Sequence, residues 1–286
     1  MRQDKDNLTV YRPNQRHDLG YIQTWILMTR NIVKSRDLIW QFFKRDYFAT
    51  YKKSFIGLTW VILSPIIGIV SWVFLKKTGM LNPGDVGIPY PAYVLIGSSM
   101  WGLFMGTFTS VSQTLETGQV IIIQVNFPRE ALVFKQVAIQ VVNFSISLLV
   151  NLAVLVGFGV IPSIKTLLLP LVALPLLLFA TAIGLIVSMI SVVAFDLNKF
   201  IAYVMGLFLY TIPVIYSDQV SSRLAQLVIK WNPLTYLVCS SRDIVIYGRI
   251  YDPVGYFICA ALAVLLFIVA LRLFYIAEIK IIERML

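Results

Sequence analysis

Six stretches of this chain run for 18 to 30 residues without a single Asp, Glu, Lys or Arg: 54–75, 86–115, 136–164, 166–195, 200–217 and 253–271. A helix rises 1.5 Å per residue, so about 20 apolar residues cross the hydrocarbon core of a bilayer. Charges stand only at the edges of these windows, as in the Lys52-Lys53 and Lys76-Lys77 pairs that bracket the first. The pattern predicts an all-α integral membrane protein with six transmembrane helices. The windows near thirty must include loop or interface. The fifth, at 18, is near the minimum, and its Pro213 either kinks that helix or ends it at a re-entrant point. Only 13% of the 286 residues are charged, against about 25% in a soluble domain, which leaves no room for a large soluble domain besides.

The loops orient the spans. With the N-terminus inside, 17 of the 24 Lys and Arg fall on the cytoplasmic side and 7 outside, so both termini are expected in the cytoplasm. The net charge of +10 is then a topological signal, and no nucleic-acid partner is implied. Residues 1–30 read as a polar cytoplasmic arm without the apolar core of a cleavable signal, which makes the first span an uncleaved signal anchor. Cys239 and Cys259 form no disulfide framework.

Between arm and first span, 31–53 suits an amphipathic interface helix. Phe43, Tyr47, Tyr51 and Phe55 recur at spacing four, with Asp37, Gln41, Lys44 and Lys52 on another side. The alternative is a helix that caps other helices. In the second span, Gly102 and Gly106 form a small-xxx-small pair that serves packing within one subunit or between two. The connection 113–135 carries Glu116, Gly118 and NFPRE (126–130), in which Pro128 can begin a helix with Arg129 and Glu130 in its first turn. It is a partner surface or an ordinary connector. The segment 218–252 is apolar for a loop. Its WNPLTYLVCSSRDIVIYG (231–248) has a turn signal at Asn232-Pro233 and an Arg242-Asp243 pair, and suits a re-entrant or interfacial helix between spans five and six.

Much chemistry is missing. No Gly-rich loop with Lys and Ser or Thr cradles a phosphate, and His17 is the single histidine. No metal or histidine-based catalytic site is expected within one chain. The windows hold no acidic or basic side chain to couple transport to protons. Sodium sites made from carbonyls and hydroxyls would need none, but transport is expected to draw its energy from another subunit.

The chain resembles the transmembrane subunit of ABC-2 type exporters, in the group that exports O-antigen and teichoic-acid polysaccharides. The resemblance rests on KRDYFATYKKSFIGLTWVILSPI (44–66), NFPRE (126–130), TIPVIYS (211–217) and WNPLTYLVCSSRDIVIYG (231–248), and spans 30–286. It implies a non-catalytic permease in the inner membrane. Its partners would be a second copy of itself and two copies of an ATPase that holds ATP and Mg, and its cargo a polysaccharide on an undecaprenyl-type diphosphate. The residues give a domain order of arm (1–30), interface helix (31–53) and transmembrane domain (54–286), within which the resemblance implies a coupling region at 113–135 and an external gate at 218–252. Phe127, Arg129 and Glu130 are candidates for ATPase coupling. Lys44, Arg45, Lys52 and Lys53 are candidates for the cytoplasmic interface or lipid-diphosphate access, although topology alone also requires basic residues there. Tyr216, Asn232, Pro233, Arg242 and Asp243 are candidates for the external gate. Trp60, Trp72, Tyr93, Trp101, Phe104, Phe108, Tyr203 and Tyr210 either line a sugar path or serve as belt and packing aromatics. Two other readings stay open: an ABC-2 exporter of teichoic acid, lipid or drug, and a membrane-embedded glycosyltransferase. The latter expects a cluster of acids or histidines, whereas Asp and Glu are scattered.

Overall fold

A computed structural model describes residues 21–52, 59–124 and 127–285. All regular structure among them is helical. Helices α1 (Tyr21–Lys34) and α2 (Arg36–Lys52) form a bent N-terminal pair, followed by α3 (Thr59–Lys77), α4 (Tyr90–Ser112), α5 (Thr114–Gln124) and α6 (Glu130–Gly157). A 3-10 turn at Ile164–Leu168 leads into α7 (Leu169–Val172) and α8 (Leu174–Ser191). Then come α9 (Phe195–Leu207), a second 3-10 turn at Phe208–Thr211, α10 (Arg223–Trp231), α11 (Pro233–Ile246) and α12 (Pro253–Met285).

The expectation of six spanning helices is not met. Among the described residues, four helical stretches are long and apolar enough to cross a membrane: Tyr90–Ile123, Glu130–Gly157, Ile164–Ser191 and Pro253–Ala277. The protein is therefore a multi-pass membrane protein. In the fifth window α9 ends after 13 residues. A 3-10 turn follows, and residues 212–217 are irregular. Pro213 lies past the break, where it can neither donate to a helical ladder nor admit the preceding residue to one. In the first window, α3 keeps 17 uncharged residues (59–75) before Lys76 and Lys77, at the lower limit for crossing. Residues 53–58, Phe55 among them, lie outside the described segments.

Helices α4 and α8 are the centre of the bundle; α12 packs on α8, and α6 and α3 on α4. Gly184 makes the α4–α8 approach possible, since a Cβ there would lie 2.8 Å from Val111 Cβ and 3.0 Å from the Phe108 carbonyl. The α4–α6 seam is joined by polar side chains: Asn151 Nδ2 donates to Ser99 Oγ (2.8 Å) and Gln140 Nε2 to Ser110 Oγ (2.7 Å). Such bonds tie helices together where lipid offers no hydrophobic gain on association. The two glycines of the small-residue pair differ. A Cβ on Gly106 would meet Gln140 Oε1 at 2.7 Å, whereas Gly102 faces open space. Gly106 thus serves packing within the subunit. Pro170 and Pro175 stand in the first turns of α7 and α8, where no intrahelical N–H is lost.

Two apolar clusters result. One joins α4 from Tyr90 to Phe108, α7, α8, the irregular segment, α11 and the first half of α12. The other joins α1, the end of α4, α5, the start of α6 and the second half of α12. The N-terminal pair belongs to the second: helix begins at Tyr21, within the expected arm, and Met28 and Thr24 are fully buried.

Candidate functional sites at the two ends of the bundle

At the end built by α1 and α2, the side chains that matter are aromatic and charged. Trp40, Phe43 and Tyr47 stack along α2 at 5.2 and 5.4 Å between ring centroids. Phe42 meets Phe127 edge-on at 5.5 Å. Phe127 is buried, and its carbonyl accepts from Arg129 Nη1 at 2.6 Å while the Arg129 guanidinium lies 5.6 Å from the Phe127 ring. Arg129 and Glu130 are buried too, Glu130 in the first turn of α6. The three coupling candidates therefore form one packed corner between α2 and α6; Asn126 lies outside the described residues. On α5, Glu116, Thr117, Val120 and Ile123 are exposed.

Asp46 is the residue that sequence reasoning missed here. It accepts from Arg45 Nε at 2.7 Å and from Lys135 Nζ at 2.6 Å, so it ties α2 to α6. Burial pushes its carboxyl up, but the hydrogen bonds and charges of Arg45 and Lys135 outweigh this and hold it below its ordinary value. A carboxyl depressed by folding stabilises above its unfolded value and loses that contribution as pH falls through its folded value. The tie is thus fully present at neutral pH and fails only in acid, below about pH 4. Arg45 is committed to this tie, whereas Lys44 is exposed with its Nζ 5.0 Å from the Trp40 ring. The side chain of Lys52, and Lys53 altogether, lie outside the described residues. Asp46→Ala is expected to lower stability by about 2 kcal/mol, because Lys135 remains buried without its carboxylate. A double-mutant cycle with Lys135→Ala, read by thermal unfolding in lipid nanodiscs, should return a coupling of about 1 kcal/mol or more.

At the other end the irregular segment is held by side chains from α4 and α11. Ile212, Pro213, Val214 and Ile215 are buried without regular backbone pairing, so their carbonyls need partners from elsewhere. Tyr90 Oη donates to the Ile215 carbonyl at 2.9 Å. Tyr93 Oη shares its one proton between those of Pro213 (2.9 Å) and Tyr216 (3.0 Å). Arg242 Nη1 also donates to the Pro213 carbonyl at 2.7 Å. Arg242 Nε meets Asp243 Oδ1 at 2.7 Å, both side chains being at most 5% exposed, and the guanidinium sits 4.3 Å from the Tyr93 ring. Gly97 lets the segment reach α4, since a Cβ there would lie 3.2 Å from Val214 Cγ1 and from its carbonyl oxygen.

Asn232 caps α11: its Oδ1 accepts from the Leu234 N–H at 3.0 Å, with Pro233 in the first turn. Its Nδ2 donates to Thr211 Oγ1 at 2.9 Å, which fixes α11 to the 3-10 turn. Tyr216 is half-buried and donates to the Tyr210 carbonyl at 3.1 Å. The structure thus brings the gate candidates Tyr216, Asn232, Pro233, Arg242 and Asp243 to one region. Tyr90 and Tyr93 complete it, and no local motif marks them.

The path candidates separate by burial. Tyr93, Trp101, Phe104 and Phe108 are buried, the last two completely, with Trp101–Phe104 centroids 5.2 Å apart. Trp72 is half-buried against the same cluster. Trp60, Tyr203 and Tyr210 are exposed.

The model of the ABC-2 type transporter family matches residues 37–246 of this chain. The O-antigen export system permease protein RfbA of Klebsiella pneumoniae is 25% identical over 227 residues, covering 79% of this chain and 86% of that protein. RfbA of Myxococcus xanthus is 26% identical over 252 residues, covering 87% of this chain and 95% of its own length. Among the described residues no group of three or more His, Cys, Asp or Glu is placed to hold a metal ion. A match over most of the chain decides the family: this protein is a non-catalytic permease of the ABC-2 type transporter family.

Proposed function

We propose that the chain exports lipid-linked polysaccharide of O-antigen type across the inner membrane, powered by a separate ATPase. The observation that carries this reading is the likeness to O-antigen export permeases over 79–87% of the chain. Family membership implies partnership within an ABC transporter. The basic N-terminal end faces the cytoplasm in this reading, with both termini inside, and the α10–α11 end faces outward.

Two copies of the chain would form the channel with two ATPase subunits. The buried corner of Phe127, Arg129 and Glu130 supports the contact, and the exposed Val120 and Ile123 of α5 offer the ATPase an apolar surface beside it. Lys44 stands where a lipid diphosphate would arrive. The exposed aromatics Trp60, Tyr203 and Tyr210 and the half-buried Trp72 are the side chains left to meet sugar or a second copy, because the buried ones have no face free. Irregular backbone at 212–217, pinned by Arg242, Tyr90 and Tyr93, supplies a gate element that can move without melting a spanning helix.

Depleting the chain from its cell of origin tests the function. Lipid-linked glycan should accumulate where only reagents admitted to the cytoplasm reach it, and expression of the chain should return it to the surface. Unchanged surface glycan on depletion would overturn the reading.

A further inference from the structure

Where α10, α11 and the start of α12 meet, a cavity of about 420 Å³ opens to the surface, lined among others by Asp218, Gln226, Thr235, Tyr236, Tyr251 and Asp252. Its polar groups are held in place by bonds that leave capacity for a ligand. Tyr251 Oη donates to Asp218 Oδ2 at 2.8 Å, and Tyr236 Oη to the Lys230 carbonyl at 2.8 Å. Their rings stand 6.5 Å apart, tilted by 56°. Asp252 Oδ1 caps α12 by accepting from the Val254 and Gly255 N–H groups at 3.1 and 3.3 Å. Gln226 Nε2 donates to the Val220 carbonyl at 2.8 Å, which turns its other amide atom, an acceptor, away from that bond. Thr235 is 1% exposed, and its hydroxyl has no hydrogen-bond partner among the described residues. A buried hydroxyl without a partner is destabilising, so a site that supplies one on ligand binding recovers that cost.

We propose that this cavity is a glycan-binding subsite at the outer mouth of the exporter, taking the hydroxyls of a neutral sugar unit. Carboxylate and amide oxygens accept from sugar hydroxyls, the Thr235 hydroxyl both donates and accepts, and the tyrosine rings offer faces to the apolar side of a pyranose. Other ligand classes fit less well. A hard divalent cation seeks six to eight oxygens, and the Lys230 ammonium group belongs to a residue lining the same cavity. A phosphate would meet two carboxylates. The ligand class rests on the exporter reading above; the site itself rests on the geometry.

The test uses the full-length permease in nanodiscs without its ATPase. The probe is the oligosaccharide released by mild acid from the cell's own lipid-linked glycan, with binding read by saturation-transfer NMR. Thr235→Val removes a hydroxyl with no partner among the described residues, and Asp218→Asn keeps an oxygen for Tyr251, so both variants should melt as the wild type does. Each should bind the probe at least 10-fold more weakly. Wild-type affinity in both variants, or no binding by the wild type, overturns the subsite. So does calcium alone binding with an affinity that the same variants reduce. ATP-driven export by the wild-type complex, measured separately, judges the exporter reading. Export that persists while probe binding is absent would sink the subsite alone.

Discussion

Arg242→Met is expected to destabilise the permease by about 3–5 kcal/mol, the range for stripping one partner from a buried ion pair. Three things change at once. Asp243 stays buried with its partner removed, the Pro213 carbonyl loses the Arg242 donor, and the cation leaves the face of Tyr93. Replacing both members of the pair separates these contributions. Arg242→Met with Asp243→Leu leaves no orphaned charge, and Tyr93 still donates to Pro213, so the double variant should recover more than half of the loss. Thermal unfolding in nanodiscs reads both. Equal stability of the single and double variants would show that the ion pair is not what holds this end together. Export should fall in the double variant despite its recovery, since the Arg242 bond fixes the irregular segment to α11.

Gly184→Leu should cost about 3 kcal/mol, the upper part of the range for overpacking. The Cβ alone would press on Val111 Cβ and on the Phe108 carbonyl. That carbonyl is backbone, so α4 and α8 must separate as bodies. Gly102→Ala is the matched control. Its Cβ enters open space, and the loss of glycine's freedom in the unfolded chain should leave stability unchanged or raised by up to about 1 kcal/mol. The same unfolding midpoint for both variants would contradict the packing of α4 on α8.

What the sequence revealed follows from where each structural cause resides. The windows 136–164, 166–195 and 253–271 became Glu130–Gly157, Ile164–Ser191 and Pro253–Ala277, because a long apolar helix satisfies its own backbone and needs no distant partner. The window 200–217 failed as a helix because its alternative conformation is maintained from afar. Tyr93 lies 120 residues and Arg242 29 residues from Pro213, whose carbonyl both bind. No local pattern carries that information. Lys135 misleads in the same way. It reads as a cytoplasmic boundary charge, yet it is buried because Asp46, 89 residues earlier, supplies its counter-charge. Asn232 and Pro233 were legible as a turn, and the structure makes them the start of α11, because capping is local chemistry. Aromatics such as Phe104 and Phe108 were legible as residues of consequence but not as buried ones. Whether a ring faces core, lipid or channel depends on neighbours that the window does not name.

The proposed export requires this permease to move lipid-linked glycan only when joined to an ATPase. Its most direct test is reconstitution of the chain with its ATPase in liposomes, with lipid-linked polysaccharide loaded in the leaflet facing the nucleotide. Glycan should become accessible on the opposite side with ATP and magnesium present, and should stay where it was when the ATPase is omitted or ATP is replaced by a non-hydrolysable analogue. Transfer at the same rate without the ATPase, or none with it, would contradict the account.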